Sequence, residues 1–329
     1  MSKRENHSGI RKKNDFKNFL EAGGNMKVFS KSVALVASCS FLVACGSNTG
    51  PSERVRDFTS FNNLPVAGTT RIKGDGATTT YLVLSDSVSI GGPVSATDAE
   101  TLVTTEFGRI IRIEAMAGGA EFSWDASRGD TSENIGEFTV FTTADGESQA
   151  IFSNPSVAGY NYQTYGTWAS VPETSQTVAA ISAGAKTSSS DVPNTSASYT
   201  GTSSGLAITS DGRALSTTSD IALETDFETI DITSSGTQAA DFTSVLTDSN
   251  QDFNDAPAAA FDAPEWDFTG TGDVTGNTFN ATVQTDDTLS AQGTADGSFF
   301  GPVAVEAGGL FSLTNDAGAG IVGSFGARR

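Results

Sequence analysis

The chain has 329 residues and a formal net charge of −20, with 39 acidic against 19 basic residues. Serine and threonine together number 81 and glycine 35. That composition excludes a helical bundle, which would be built from Ala, Leu, Glu and Lys, and favours many short strands joined by glycine turns. A chain this acidic has no electrostatic attraction for a phosphate backbone, so nucleic acid is excluded as a partner.

The first element is an address rather than a fold. Lys27 and Lys31 flank the start of an apolar run from Ser32 to Ala44. The run is too short to span a bilayer and has the length of a signal-peptide apolar region. It ends at Leu42-Val43-Ala44-Cys45-Gly46-Ser47, which resembles the bacterial lipoprotein cleavage box, in which the cysteine is acylated. Residues 1–44 are therefore read as a lipoprotein signal peptide, with Met26 as the expected true start, and Cys45 as the lipid attachment site. Cleavage leaves 11 basic and 36 acidic residues, a net of −25. Several acyl chains on one cysteine anchor firmly, because each buried CH₂ contributes about 0.8 kcal/mol. Gly46 rather than Asp after the cysteine favours the outer membrane. Residues 45–65 read as a lipidated tether.

From Val66 strand signals begin. Thr97 and Glu100 have capping-box spacing, which predicts a helix over 97–106. Ile111 and Ile113 alternate with Arg112 and Glu114, Gly118-Gly119 marks a turn, and Phe122 and Trp124 follow, which is a hairpin with one buried face. Phe138–Phe141 leads to a turn at Asp145-Gly146, followed by the aromatic segment 160–170. Residues 171–194, rich in Ser, Thr, Ala and Pro, read as a linker. Beyond them, a segment opening at Tyr199 turns at Asp211-Gly212. Ile221 and Leu223 are out of phase with Ile230 and Ile232, which requires a turn or bulge near Asp226–Glu228. Trp266 and Phe268 start another strand, Thr275-Gly276-Asn277 turns it, and two further strands cover 309–314 and 320–328. Six to eight strands over 195–329 suit a small antiparallel barrel, which leaves no edge; an open sandwich is the alternative.

Missing residues remove most enzyme chemistry. His7 is the only histidine and lies in the signal peptide, so the mature chain has no Ser–His–Asp triad and no histidine-held zinc or haem. Gly201-Thr202-Ser203-Ser204-Gly205 fits a nucleophile-elbow pattern but has no base to serve it, and reads as strand. Only Lys73 and Lys186 remain as lysines after cleavage. The oxygen-rich run at Asp248, Asn250 and Asp252 lacks the glycine and bidentate glutamate of a calcium loop. No metal or cofactor is expected. Carboxylate-only glycosidase chemistry remains formally open, and the expectation is a chain that is not an enzyme.

The C-terminal third carries recognisable residues. Gly297-Ser298-Phe299-Phe300-Gly301-Pro302, then Gly309-Leu310-Phe311-Ser312, then Gly323-Ser324-Phe325-Gly326-Ala327-Arg328 resemble the closing strands of the transferrin-binding protein B-like barrel family. Tyr165-Gly166-Thr167-Trp168 is similar to that family's Y-G-x-W strand, and Ala197-Ser198-Tyr199-Thr200-Gly201 to its barrel opening. The resemblance is best over 160–329 and weak over 66–155. It implies an all-β protein with an N-terminal handle-like β domain and linker over 66–194, then a C-terminal eight-stranded antiparallel β-barrel over 195–329. There is room for one lobe, where the well-known receptors have two. It also implies an outer-membrane surface lipoprotein that binds a protein ligand, with iron- or haem-bearing proteins as candidates, often beside an outer-membrane transporter receptor. The family's signatures are scaffold residues, so no ligand contact carries over. A structural or adhesive envelope lipoprotein without an iron role is the alternative.

Within the second domain, residues 248–267 form an acidic segment long for a hairpin loop, with Phe253, Phe261 and Trp266 as candidate ligand-binding residues. Exposed aromatics on loops held by a rigid barrel make good interface anchors; the competing reading is a solvated loop with Trp266 already in the core. Tyr160, Tyr162, Tyr165 and Trp168 raise a tyrosinate–iron or haem-ligand reading, against which strand parity places most of them in the core.

Overall fold

The computed structural model of the chain describes residues 55–84, 86–170, 177–241, 243–247 and 259–329. Cys45 and Phe253 lie outside them, as does the acidic run at 248–255. Among the described residues the chain is almost wholly β and forms two sheets.

The first sheet contains β1 (Arg56–Asp57), β2 (Gly68–Val83), β3 (Val88–Ile90), β4 (Val94–Glu106), β5 (Arg109–Ala117), β6 (Ala120–Asp125), β7 (Thr131–Ile135), β8 (Phe138–Thr142), β9 (Ser148–Ser153), β10 (Gln163–Ser170) and β11 (Thr177–Gly184). Their spatial order is β6-β5-β4-β2-β11-β10-β9-β8-β7, with β1 and β3 beside β2. The sheet curls until its two ends meet through side chains instead of a backbone ladder. The Trp124 indole on β6 donates to the Thr131 carbonyl of β7 at 2.8 Å, and its ring lies 5.1 Å from Phe141 on β8. This is a half-barrel with an apolar concave face.

Two sequence expectations fail here. The helix expected over 97–106 is the end of β4. Ala99, Thr101, Val103 and Thr105 are buried in strict alternation with more exposed neighbours. That period of two, together with the β-branched side chains, outweighs a capping-box spacing. The linker expected over 171–194 contains β11, a central strand between β2 and β10. Its residues TVAAISAG lack the usual alternation because both faces are covered. Ala179, Ile181 and Ala183 join the concave core, while Val178 and Ala180 face the second sheet. Small residues that suggested a linker are in fact what two-sided packing demands.

The second sheet contains β12 (Ala197–Ile208), β13 (Ala214–Thr225), β14 (Thr229–Asp241), β15 (Phe261–Asp262), β16 (Phe268–Thr275), β17 (Thr278–Thr285), β18 (Gln292–Phe300), β19 (Glu306–Thr314) and β20 (Gly320–Arg328). Strand β12 pairs with both β13 and the final β20, and β13 pairs with β14. With the two-residue β15 aside, the result is a closed eight-stranded antiparallel barrel. Eight strands enclose just enough room for side chains, and the interior is solid. Phe299, fully buried, has Tyr199, Phe227 and Phe279 around it at ring distances of 6.0, 5.1 and 5.5 Å. The phase change between Leu223 on β13 and Ile230 on β14 is a turn at 226–228. Asp226 caps it by accepting the Glu228 and Thr229 amides at 2.9 and 2.8 Å. Phe227 adopts φ +68° there and turns its ring onto Phe299.

Because Phe299 fills the centre of a closed barrel, Phe299→Ala is expected to cost about 3–5 kcal/mol of stability. Urea unfolding of the barrel checks this; a loss below about 1 kcal/mol would show that the barrel relaxes around the cavity.

Candidate functional site

The half-barrel and the barrel meet along β10 and β11 on one side and β19, β20 and β12 on the other. The contact is close because glycines permit it: a Cβ on Gly326 would stand 2.5 Å from the Tyr165 ring, and one on Gly201 2.7 Å from the Tyr160 hydroxyl. Both tyrosines are buried. Tyr160 donates to the Gly326 carbonyl at 2.6 Å, and the Tyr165 and Thr202 hydroxyls bond at 2.6 Å. Gln163, fully buried, donates through Nε2 to the carbonyls of Ala307 and Ala327 at 2.9 and 3.0 Å. Ser324 donates to the Gly166 carbonyl at 2.9 Å. Burial pushes the Tyr160 and Tyr165 phenols well above their ordinary range, so both stay neutral and serve the joint as hydrogen-bonding core residues. The tyrosinate-ligand reading therefore has no support from their placement. Trp168 faces the other way, stacked 6.4 Å from Phe152 in the half-barrel.

Glu306 is the charged member of this joint. It is 4% exposed and accepts the Asn161 amide at 2.6 Å and the Tyr162 amide at 3.0 Å. Desolvation is the dominant effect and raises its carboxyl above the ordinary carboxylate range, although these amides, that of Gln163 and the charge of Arg328 oppose the rise.

Of the predicted binding residues, Trp266 is 2% exposed and lies in the barrel core with Phe268. It is held in a short 3₁₀ turn, Pro264–Trp266. Phe261 on β15 is 38% exposed at the outer rim. The structure thus brings Phe261 and Trp266 to one end of the barrel but turns only Phe261 outward. The neighbouring Asp267 is spent on the scaffold, accepting the Thr237 amide and hydroxyl at 2.9 and 2.6 Å.

Two open volumes were not anticipated from sequence. One, about 590 Å³, lies between the half-barrel and the outer barrel wall. It is polar, with Asp273, Asp296 and the Asp75–Lys186 ion pair at 2.7 Å among its walls. The other, about 530 Å³, opens at the end of the half-barrel beside the β4–β5 turn and is lined by Ile72, Val103, Ile113, Trp124, Phe141 and Phe152 among others. At that same turn Phe107 is 85% exposed with φ +51°. Ile110 follows at 42%, and Val66 is 71% exposed, held to the turn by the Gly108 amide donating to its carbonyl at 2.8 Å. Phe107 sits in a polar, threonine-rich run, and its exposure could have been suspected only from the Phe-Gly pair that turns the hairpin.

Residues 192–329, the closed barrel, match the family model described as C-lobe and N-lobe beta barrels of Tf-binding protein B. Over this segment, which is less than half of the chain, the closed barrel is similar to the barrels of that family. Similar solved structures include a mutant of the vaccine antigen Transferrin Binding Protein B from Haemophilus parasuis Hp5, at 10% identity, covering 78% of this chain and 75% of that one with a TM-score of 0.40. The isotype 1 protein from serogroup B Neisseria meningitidis follows at 13% identity, 76% and 58% coverage and a TM-score of 0.39. A surface lipoprotein has 14% identity, 77% and 98% coverage and a TM-score of 0.40. No curated protein matches the chain.

The raised Glu306 carboxyl makes the joint pH-sensitive. A carboxyl whose folded pKa exceeds its unfolded value, here from 4.5, stabilises the fold most below that value, and the contribution is lost as pH rises through the folded pKa. Glu306→Gln removes the titration while keeping an amide acceptor. The melting temperature of the wild type relative to E306Q is expected to be lower at pH 7 than at pH 4; an equal difference at both pH values would disprove the assignment.

Proposed function

We propose that this chain is a lipoprotein of the outer-membrane surface that captures a protein ligand and performs no catalysis. The observation that carries the reading is the family match of the closed barrel over 192–329. A barrel filled by Phe299 and its neighbours has no lumen for a substrate. It is a rigid frame that leaves recognition to its rims and to the half-barrel, as loops on stable scaffolds commonly do. The lipoprotein box at Cys45 supports acylation and a place on the membrane surface. In this reading residues 45–65 are the tether, 66–194 the handle and 195–329 the barrel.

The ligand class we assign is an iron- or haem-bearing protein, with an outer-membrane transporter receptor as the onward partner. Phe261 is the barrel residue proposed to contact it, since it is an outward aromatic beside an acidic segment. A net charge of −25 from Cys45 onward suits steering of a basic partner at low salt.

Two measurements test this. Cys45→Ser is expected to abolish incorporation of radiolabelled palmitate and to release the chain from the membrane fraction; labelling that persists would remove the anchor. The lipidated full chain, immobilised and offered iron-loaded transferrin and haemoglobin at low and moderate salt, is expected to retain one of them, less at the higher salt. Phe261→Ala is expected to weaken retention at least about fivefold, the loss typical of an interface anchor, without lowering the melting temperature. If a folded chain retains neither protein at either salt, the iron-capture reading fails and the adhesive alternative takes its place.

A further inference from the structure

The half-barrel differs from the barrel in one physical respect: its ends meet through Trp124 rather than through a ladder, so its interior is not filled to one end. The cavity left there measures about 530 Å³, within the range of about 300–1,000 Å³ usual for small-molecule sites. Its walls are mainly apolar and aromatic. Thr101 lines it as well, 2% exposed, and the buried Thr101 hydroxyl has no hydrogen-bond partner. Arg109 and Ile110 line the open end. Arg109 is exposed and forms no ion pair among the described residues, although acidic residues outnumber basic ones two to one.

We infer that this cavity binds a single-chain amphiphile with a carboxylate head, a free long-chain fatty acid in chemical class. The apolar chain would lie along Ile72, Ile113 and Phe152, and the carboxylate would meet the Arg109 guanidinium at the mouth. The arrangement follows the usual design of such sites, an apolar body with few polar groups that fix one end. An Arg–carboxylate pair at a partly open mouth gives orientation and modest affinity. The exposed Ile110 at the mouth is explained on the same basis, since an apolar rim shields the first part of an acyl chain from water. This site is separate from the protein-capture surface proposed at the barrel rim, and either can fail without the other.

The test uses the full chain carrying Cys45→Ser, so that no covalent lipid competes. cis-Parinaric acid, a fluorescent polyene fatty acid, is titrated in while energy transfer from tryptophan is followed; Trp124 lines the cavity. Palmitate and hexadecanol then compete with it. Saturable uptake is expected, with palmitate displacing the probe. Arg109→Glu is expected to weaken palmitate about fivefold, the upper worth of an exposed ion pair, and to leave hexadecanol unchanged. Ile110→Trp is expected to obstruct the mouth and weaken both. Both positions are exposed strand residues, and circular dichroism verifies that the variants fold. A folded chain that takes up no fatty acid, or one that takes up hemin but not palmitate, overturns the proposal. Palmitate binding undiminished in R109E overturns the assignment of the carboxylate to Arg109.

Discussion

The molecule depends on two adjacent strands that are buried on both faces. Strands β10 and β11 form the middle of the half-barrel and at the same time the surface on which the closed barrel rests. A strand in that position cannot use the ordinary device of one apolar and one solvated face. It needs small side chains where backbones approach and polar side chains only where a partner stands opposite. Ala179, Ala180 and Ala183 meet the first need, each fully buried. Gln163, whose Nε2 reaches two carbonyls of the barrel, meets the second.

Polar chemistry in this joint gives it a single geometry. Apolar contact between two sheets tolerates sliding, whereas buried hydrogen bonds do not, because each lost partner costs about 1–3 kcal/mol. Tyr160, Gln163, Tyr165 and Ser324 each cross between the sheets with a bond of 2.6–3.0 Å. Glu306 adds a buried carboxylate that receives the amides at the entry to β10. The handle is thereby held in one orientation on the barrel, which sets the separation between any surface on its open end and any surface on the barrel rim.

The two sheets illustrate two outcomes of the same alternating pattern. In the barrel the pattern closes on itself, and aromatic rings fill the interior. In the half-barrel closure stops one ladder short, a tryptophan bridges the gap, and an apolar cavity remains at one end. The two parts differ accordingly: the closed part is rigid, and the open part and the rims carry the exposed surface. The exposed turn at Phe107 and the outward Phe261 lie on these parts, while the more conspicuous aromatics of the sequence, Tyr165, Trp168 and Trp266, are core residues.

Much of the architecture was legible because strand alternation and turn glycines are local signals. Ile221 and Leu223 against Ile230 and Ile232 located the β13–β14 turn to within a few residues, and the G-x-F elements of the last strands named the barrel. Over β4 a capping-box spacing, also a local signal, points to a helix, and the strands paired on either side decide against it. Strand β11 is not legible locally, because Ala, Ser and Thr carry no period when both faces are buried. The candidate binding residues are the least legible: Phe261 and Trp266 look alike in sequence, and only the placement of a short turn sends one outward and the other into the core. By itself the sequence determined the β class, the acidic charge and the lipoprotein-like box, since each is written in composition or in near-neighbour spacing. Tertiary structure alone decided the joint, the cavity and which aromatics are exposed, because those depend on contacts between residues far apart in the chain, such as Tyr160 with Gly326.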